Sequence, residues 1–421
     1  MRGNEAASLQ SESEFGAFVD RLAADPSRCA HLTELLREDH AVYRERGAAE
    51  IVRMRGWVLL AIARAGVSEA SLIFLLEELD AGVDPYLVAA AARALRSYPR
   101  PTDALAPFVM RALNNIRYRD LPVSFEVYGD YARSTDGTSA VRELLATLVW
   151  LGPLARAVIP ELLVLRAQAA RSRKLHEDID RTVQAIHGAD EAPGPGTHSC
   201  CEMTPSAPTE ETSWPIGQRR SMKPVETVML EDQEGELIPF KDFFNEQPTI
   251  VVFFYTRCDN PMKCSLTVTK LARVQHLLDA QGFADRINTA AITYDPAFDR
   301  PARLRVYGQD RGVRMDARHR MLRTPDDHAA LCNHFQLGVN FVESLVNRHR
   351  IELFILDAAG SIAVCFERLH WNEHEVVRRA IQLLREPRCS ADPHSQSAST
   401  CSSSTIPGRA NSPVSPVRRL R

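Results

Sequence analysis

The spacing of apolar residues divides this chain into two parts. Between about residues 21 and 188, alanine, leucine and arginine dominate, and apolar residues recur at the spacing of helices that bury one face. The pattern predicts consecutive pairs of helices, over residues 49–65 and 69–80, 85–95 and 103–113, and 140–151 and 159–170. Asp84 and Pro85 mark one helix start, because aspartate caps a helix and proline fits its first position.

The last of these pairs resembles a HEAT repeat. Residues 145–165, LATLVWLGPLARAVIPELLVL, combine a leucine-rich helix, a Gly-Pro turn and an Ala-Ile-Pro start to the second helix. The predicted helix starts at 49 and 85 also lie near the roughly 40-residue period of such arrays. We therefore expect residues 21–188 to form an all-α, HEAT-like helical repeat array. The resemblance implies a docking surface for a protein partner, since stacked helix pairs form extended concave surfaces.

From residue 222 to 387 the pattern changes to short apolar runs that alternate with amphipathic segments. Residues 249–255, TIVVFFY, are apolar on both faces, which is typical of a central strand covered by helices on each side. The pattern predicts strands at 225–230, 236–240, 287–294, 351–356 and 361–366, and helices at 261–282, 300–311 and 373–384, with another capped by Thr324 and ending near 335. A β-α-β half followed by a β-β-α half is the thioredoxin arrangement. We expect an α/β domain of that fold over residues 222–387.

Three segments lack such periodicity. Residues 1–20 and the tail at 388–421 are expected to be disordered, and residues 189–221 to be a flexible linker. Cys200 and Cys201 lie in the linker, directly after a serine and close to a histidine. We interpret them as incidental thiols, although adjacent cysteines on a flexible segment could serve as a metal or redox handle.

The composition excludes several classes of protein. The chain has 421 residues and a net charge of -3, so nothing favours nucleic acid or a membrane surface as a partner. Nine cysteines are too few for a disulfide scaffold at this length. No run of about 18 apolar residues predicts a membrane span, and the polar N-terminus lacks the apolar core of a secretory signal. We therefore expect a cytoplasmic protein, in which paired cysteines are more often catalytic or metal-binding than structural.

Two cysteines follow the predicted central strand, in the sequence TRCDNPMKCS. On one regular helix, the six residues from Cys258 to Cys264 give about 240° of rotation, so the two side chains could not share a ligand. Pro261 is well placed at the first position of a helix, with Asn260 as the cap. Cys258 then lies in the preceding loop and Cys264 in the first turn. Their sulfurs can converge at a helix N-terminus, where the helix dipole favours thiolates.

A third donor is expected from a neighbouring strand. In the thioredoxin fold, the loop before the third central strand lies beside the cysteine loop, and redox members carry a cis-proline there. Here that loop is VNRHR, at residues 346–350, and His349 takes the position of the proline. Two thiolates and one imidazole suit a soft or borderline metal such as copper. Arg257 and Lys263 add positive charge near the thiolates.

Four segments in the same order carry a family resemblance: FFYTRCDNPMKCS (253–265), ITYDPAFDRPARLRVY (292–307), LRTPDDHAALCNHFQL (322–337) and HRIELFILDAAGSI (349–362). They resemble the SCO/SenC family, thioredoxin-fold copper-binding proteins of cytochrome oxidase assembly. The resemblance implies that Cys258, Cys264 and His349 bind copper, and that the protein is a metallochaperone or a thiol/copper redox sensor. The chain departs from the family in its C-x5-C spacing, where the family has C-x3-C, and in its N-terminal helical array.

Two other functions stay open from the sequence. A thiol-disulfide oxidoreductase or thiol peroxidase would use Cys258 as the attacking thiolate and Cys264 to resolve the mixed disulfide or sulfenic acid. Such an enzyme does not need His349, whereas a metal site does. A scaffold would depend on the helical array alone, beside a degenerate thioredoxin-like domain. Asp295 and Asp299 are predicted to cap the helix that starts near residue 300, the alternative being that they orient the site.

Overall fold

The computed structural model describes residues 12–25, 28–126, 137–168, 172–188 and 218–385. Up to residue 188 the described elements are almost all helical, which confirms the predicted all-α character. The helices are α1 (Glu12–Ala23), α2 (Cys29–Glu34), α3 (Ala48–Ala65), α4 (Glu69–Ala81), α5 (Pro85–Leu95), α6 (Ala106–Ile116), α7 (Ala140–Leu151), α8 (Ile159–Gln168) and α9 (Arg173–Gly188). Between them lie short 3-10 turns (Ala41–Tyr43, Asp103–Leu105 and Gly152–Val158) and the antiparallel pair β1 (Pro122–Val123) and β2 (Thr138–Ser139).

Alternate helices of this region pack on one another. α3 packs on α5 and α5 packs on α7, while α4 packs on α6. The alanines of α5 at positions 89–92 are fully buried, and their small side chains allow α3 and α7 to approach closely on either side. Apolar side chains from these helices form one continuous core. The helices therefore stack in the manner expected of helix pairs, and the HEAT-like repeat stays a prediction.

The N-terminal boundary of this region differs from the sequence prediction. Disorder was expected for residues 1–20, but α1 begins at Glu12 and buries Phe15 and Val19 in the helical core. These residues and Leu22 are spaced along one helical face, and their burial next to α3 stabilises the helix. The prediction is therefore wrong from Glu12 onward, whereas residues 1–11 lie outside the described residues.

One stretch of the helical region meets a length and composition test for membrane spans. Ala140–Gln168 is long and apolar enough to cross a membrane. It comprises α7, the turn Gly152–Val158 and α8, and α7 packs against α5, α6 and α9. The core helix of a soluble protein passes the same test, so this stretch is weak evidence for a span. The expectation that nothing spans a membrane stays a prediction.

The C-terminal part is built on a seven-stranded sheet. Its strands and helices are β3 (Met229–Asp232), β4 (Leu237–Pro239), α10 (Phe240–Phe244), β5 (Thr249–Phe254), α11 (Leu266–Ala280), β6 (Asn288–Thr293), α12 (Pro301–Gln309), β7 (His319–Arg323), α13 (His328–Phe335), β8 (Val339–Val342), β9 (Leu345–His349), β10 (Glu352–Leu356), β11 (Ile362–Glu367) and α14 (Glu373–Arg385). The strand order is β11-β10-β5-β6-β7-β3-β4, with β5, β6 and β7 parallel and β10 antiparallel to β5. All six residues of β5 are buried, because α11 and α14 cover one face of the sheet and α10 and α13 cover the other. The predicted thioredoxin fold is confirmed.

Three local predictions in this part are wrong. β7 was not predicted, because its sequence HRMLR carries charges that pair with other strands, as Arg320 does with Asp232. The segment before β10 was expected to be a loop, but β8 and β9 form an antiparallel hairpin there. The cap of α13 is Asp327, at a φ of 55° and without a side-chain capping bond, while the Thr324 hydroxyl instead lies 3.1 Å from His328 Nδ1.

The helical region (described residues 12–188) and the sheet region (residues 218–385) belong to one compact unit. Leu369 of the sheet region is buried in the helical core, and Ala81 at the end of α4 is buried in the core beneath the sheet. Asn340 and Asn347 of the β8–β9 hairpin donate to backbone carbonyls between residues 38 and 46. The two regions therefore share apolar cores and are joined by hydrogen bonds from side chains to backbone carbonyls.

Candidate metal centre

The cysteine loop folds around the N-terminus of a helical segment, as the sequence predicts. Cys258 lies in the loop after β5, and the Asn260 side chain caps the next turn by accepting a hydrogen bond of 2.9 Å from a backbone amide. Pro261 occupies the first position of that turn, Pro261–Ser265, which is π-helical and leads into α11. Cys264 lies in this turn and is 1% exposed. Pro261 thus leaves Cys258 in the loop and places Cys264 in the turn. Because the loop and the turn meet at the start of the helical segment, the two sulfurs lie close together.

His349 meets both sulfurs. Its Nε2 atom lies 3.5 Å from Cys258 Sγ and 3.5 Å from Cys264 Sγ. The three ligand atoms all lie within 4.8 Å of one another, and they form a group of metal-ligating type among the described residues. His349 reaches this position as the last residue of β9, whose hairpin aims the ring at the cysteine turn.

The orientation of the imidazole is set by its second nitrogen. His349 Nδ1 lies 3.0 Å from the carbonyl oxygen of Arg350. A carbonyl only accepts, so Nδ1 carries a proton, and Nε2 is the nitrogen that faces the two sulfurs. Metal-binding histidines have this arrangement, because the bond to the distal nitrogen fixes both the tautomer and the ring orientation.

Two tyrosine rings enclose the imidazole. The ring of Tyr255 meets that of His349 edge-on at 5.3 Å between centroids, and Tyr294 lies at 5.5 Å. The Tyr294 hydroxyl donates to Glu352 Oε2 at 2.6 Å. Burial raises the pKa of Tyr294 and the Glu352 carboxylate raises it further, so the phenol stays protonated. These two rings therefore pack against the imidazole and fix its position.

The two thiols differ in acidity. A hydrogen bond with Cys264 lowers the pKa of Cys258 far below the ordinary thiol value; burial opposes this shift and His349 adds to it. Burial raises the pKa of Cys264, and the neighbouring Cys258 raises it further. Cys258 is therefore the more acidic thiol of the pair.

Asp295 and Asp299 hold the cysteine loop, and the prediction that they cap α12 is wrong. The N-cap of α12 is Arg300, which makes no side-chain capping bond. Asp299 Oδ2 accepts a hydrogen bond of 3.1 Å from the Thr256 amide, and the Thr256 hydroxyl also donates to Asp299. Asp295 accepts from Arg257 Nε at 3.0 Å. Both carboxylates thus orient the loop that leads to Cys258, the alternative that the sequence left open.

Lys263 connects the centre to the helical region. Its Nζ donates to the His349 carbonyl at 2.9 Å and lies 3.2 Å from Glu77 Oε1 of α4. Arg368 lies 3.0 Å from the other Glu77 oxygen and 2.9 Å from Glu38. The sequence singled out Lys263 as a nearby charge, but its partners were missed, because they lie in the other region and show no motif.

The distances from the imidazole nitrogen to the two sulfurs are those found around a single metal ion. Zinc sites in proteins have metal–sulfur distances of about 2.3 Å and metal–nitrogen distances of about 2.0 Å, which put tetrahedral donors about 3.5 Å apart. The observed separation of 3.5 Å between each sulfur and the imidazole nitrogen matches that value. Cys258, Cys264 and His349 are donors that suit a metal ion of the soft or borderline class. Cys200 and Cys201 lie outside the described residues.

Fold and site together define a thioredoxin-fold protein with two cysteines and a histidine at the reactive edge of the sheet. Residues 222–385 match the SCO1/SenC family model. This part of the chain, the sheet region, belongs to the SCO1/SenC family, as the sequence resemblance implied. No curated protein was found to match the chain.

Several solved structures are similar to the sheet region. A SCO1/SenC family lipoprotein from Bacillus anthracis str. Ames has 17% identity and a TM-score of 0.34, covering 40% of this chain and 99% of its own. Bradyrhizobium japonicum ScoI with copper bound has 20% identity and a TM-score of 0.31, covering 40% and 99%. Yeast Sco1 has 22% identity and a TM-score of 0.30, covering 40% and 92%.

Proposed function

We propose that this protein binds copper through Cys258, Cys264 and His349 and acts as a metallochaperone or as a thiol/copper redox sensor. The observation that carries the proposal is the convergence of two sulfurs and one imidazole nitrogen within 4.8 Å. These are soft and borderline donors, which favour copper over hard oxygen-binding ions. The SCO1/SenC membership of residues 222–385 supports the same metal, since the family resemblance implies copper ligands at these positions.

The protonation of the pair predicts how loading proceeds. Copper would be the cargo, and Cu(I) is a soft ion that exchanges between thiolates. Cys258 is the more acidic thiol and offers the first thiolate donor, while the bond between His349 Nδ1 and the Arg350 carbonyl leaves Nε2 facing the sulfurs. Cys264 must release its proton to become the third donor, so loading releases about one proton at neutral pH.

Titration of the full chain with Cu(I) under a competing chelator tests this function. The full chain is the appropriate sample, because the two regions share apolar cores. We expect about one copper per chain, and a loss of affinity of about tenfold or more in His349→Ala. His276→Ala, which removes an exposed histidine of α11, is the matched control. Equal affinities for His349→Ala and the wild type would exclude the metal site.

A thiol-disulfide oxidoreductase or thiol peroxidase is the second candidate. The hydrogen bond between the two thiols and the depressed pKa of Cys258 favour it, because an attacking thiolate with an adjacent resolving thiol is what such chemistry needs. Insulin reduction by the wild type, retained in His349→Ala and lost in Cys258→Ser, would support this candidate. A metal site predicts instead that the function, copper binding, is weakened in His349→Ala.

We also propose that the helical region binds a protein partner. The large apolar side chains of Leu163 and Val164 on α8 are 45% and 54% exposed, and such surfaces are available for docking. A pure scaffold would keep its full activity when Cys258→Ser is combined with Cys264→Ser. That double variant therefore separates the scaffold from both thiol-dependent functions. The cytoplasmic location stays a prediction.

A further inference from the structure

A pocket of about 310 Å³ between the helical region and the sheet region ends at the metal centre. Its helical wall is formed chiefly by Ile51, Val52, Gly82, Val83, Asp84 and Leu87, and its floor by Tyr255, Cys258, Asn260, Lys263 and His349. The helical region therefore lies over the same edge of the sheet at which the cysteines and the histidine meet.

The three candidate ligands are unequally accessible from this pocket. Cys258 and His349 line it, whereas Cys264 does not. Cys258 is half-buried, while His349 is 6% and Cys264 is 1% exposed. Any molecule that exchanges with the centre through the pocket therefore meets the Cys258 sulfur first.

The C-terminal end of α4 is attached directly to the elements that carry these ligands. Asn260 Nδ2 donates to the Ala81 carbonyl at 2.8 Å, two residues from Cys258. Lys263, next to Cys264, pairs with Glu77 at 3.2 Å. Arg348, next to His349, pairs with Glu78. A folded protein could reach the metal ligands from this side only after these contacts had separated.

The buried side chains that the two regions bring to this junction carry complementary charges. The helical region contributes the carboxylates of Glu38, Glu77 and Glu78, and the sheet region contributes the cations of Lys263, Arg348 and Arg368. Buried pairs of this kind specify one relative orientation of two surfaces, since any other orientation leaves a buried charge without its partner. The helical region therefore has a defined position over the pocket.

We propose that the helical region covers the Cys258–Cys264–His349 centre, and that the pocket between the two regions is a binding site for a low-molecular-weight thiol from which folded proteins are excluded. Small-molecule sites have volumes of about 300–1,000 Å³, so this pocket is at the small end of that range. The soft sulfur of Cys258 at its floor selects a thiol or a thiol-bound metal as the molecule that exchanges there. For the metal, this inference rests on the proposed copper function.

Thiol-disulfide exchange, which needs no metal, measures how well molecules of different size reach the Cys258 sulfur beneath the helical region. The Cys258 thiolate attacks a small disulfide, R–S–S–R, forms a mixed disulfide with one R–S group and releases the other as R–S⁻. Cys264 can then lose its proton, which the released R–S⁻ or water takes up, displace the second R–S⁻ and close a Cys258–Cys264 disulfide. The small disulfide is the oxidant, and it takes up the two electrons that the two cysteines lose.

The first experiment compares two disulfides on the full chain. One is 2-hydroxyethyl disulfide, and the other is the same group attached by a short tether to a folded carrier protein. An exposed reference thiol is introduced by Leu237→Cys, at a position that is 60% exposed on β4. Peptide mass spectrometry follows the reaction of Cys258 and of the reference thiol with each disulfide.

For each thiol, we take the ratio of its reaction rate with the small disulfide to its rate with the carrier-bound disulfide. We expect this ratio to be about tenfold or more larger at Cys258 than at the reference thiol. Equal ratios at the two thiols would show that folded proteins reach the centre, and would overturn the cover. Failure of Cys258 to react with the small disulfide, while the reference thiol reacts, would overturn the binding site for a small thiol.

The second experiment narrows the pocket from the helical side. Val83 is half-buried in its wall, and Val83→Trp is expected to slow the reaction of Cys258 with the small disulfide by about tenfold. Val149→Trp, at a position of α7 that is 42% exposed, is the matched control and is expected to react as the wild type does. Val83→Met provides a smaller filling residue in case the tryptophan variant does not fold. An unchanged rate in a folded Val83 variant would show that the route to Cys258 does not pass between the two regions.

The two proposals fail in different ways. A chain that binds no copper but discriminates between the two disulfides would contradict the copper function and retain the cover. A chain that binds copper and reacts equally with both disulfides would retain the copper function and overturn the cover.

Discussion

The Lys263 ammonium lies 3.2 Å from the Glu77 carboxylate and 2.9 Å from the His349 carbonyl oxygen. Lys263 directly precedes Cys264, so one buried cation joins the cysteine turn, the strand that carries the histidine and helix α4. Lys263 and Glu77 are 6% and 1% exposed. Because both partners are buried, this pair couples the candidate metal centre to the helical region.

Removing the Lys263 charge is expected to destabilise the protein strongly. Lys263→Met leaves Glu77 with Arg368 as its remaining ion-pair partner, and loss of one member of a buried pair costs about 3–5 kcal/mol of unfolding free energy. Urea denaturation at neutral pH measures the loss. The double variant with Glu77→Gln should recover part of it, because the buried carboxylate that lost its lysine partner is then neutral.

An exposed ion pair provides the control for this prediction. Arg173 and Glu177 pair across one turn of α9 with side chains 93% and 56% exposed. Arg173→Met is expected to change the unfolding free energy by less than about 1 kcal/mol. Similar losses for Lys263→Met and Arg173→Met would contradict the structural role of the buried pair.

The acidity of Cys258 is expected to depend on Cys264. The hydrogen bond from Cys264 is the main cause of the depressed pKa of Cys258, so Cys264→Ala should raise that pKa. In the wild type, alkylation of Cys258 by iodoacetamide should change little between about pH 6 and 8, because the thiolate is already formed. In Cys264→Ala the rate should rise with pH across this range. A flat pH profile in the variant would show that the hydrogen bond does not control the acidity of Cys258.

Asp299 is expected to act as a positioning residue for the cysteine loop. It accepts hydrogen bonds from the Thr256 amide and hydroxyl and from the Thr293 hydroxyl. Asparagine offers one acceptor oxygen in place of the carboxylate, so Asp299→Asn loses part of this network. Copper affinity should fall about 10- to 100-fold with little change in the folded circular dichroism spectrum.

The control for this change is Asp310→Asn, at the exposed C-cap of α12. It should leave the copper affinity unchanged. A Thr256→Val variant, which removes only the hydroxyl donor, should give an intermediate loss. Wild-type affinity in Asp299→Asn would show that the loop is held by other contacts.

The junction between the two regions is expected to weaken in acid. Burial alone would raise the pKa of Glu38, but Arg368 and Arg55 outweigh burial and lower that pKa far below its usual range. The folded state therefore binds this proton less tightly than the unfolded state. The contribution to stability is complete above about pH 4.3, the unfolded pKa, and is lost as the pH falls toward the folded pKa.

Urea denaturation between about pH 6 and pH 3 tests this dependence. The unfolding free energy of the wild type should fall more steeply with decreasing pH than that of Glu38→Gln, which has no carboxyl group to titrate. The glutamine variant should be less stable at neutral pH, because Arg368 and Arg55 lose a charged partner. Parallel curves for the two proteins would contradict the prediction.

Short-range patterns were enough to predict much of the fold and the centre. The apolar run TIVVFF predicts β5, since only a strand covered on both faces buries six consecutive side chains. Asn260 and Pro261 predict the start of the turn that separates Cys258 from Cys264. His349 was expected beside them from the thioredoxin order of strands. Each of these features depends on a residue and its immediate neighbours, or on one fold-level rule.

The sequence by itself thus determined the class of each region, the loop-and-turn placement of the two cysteines and the identity of the histidine that faces them. Only the tertiary structure decided that the helical region lies over this centre, that Asp295 and Asp299 hold the cysteine loop, and that Lys263 pairs with Glu77. The Asn260–Ala81 hydrogen bond and the Lys263–Glu77 pair join residues 179 and 186 positions apart. Contacts at such separations leave no periodic signal in a single sequence, because they depend on how two finished surfaces meet.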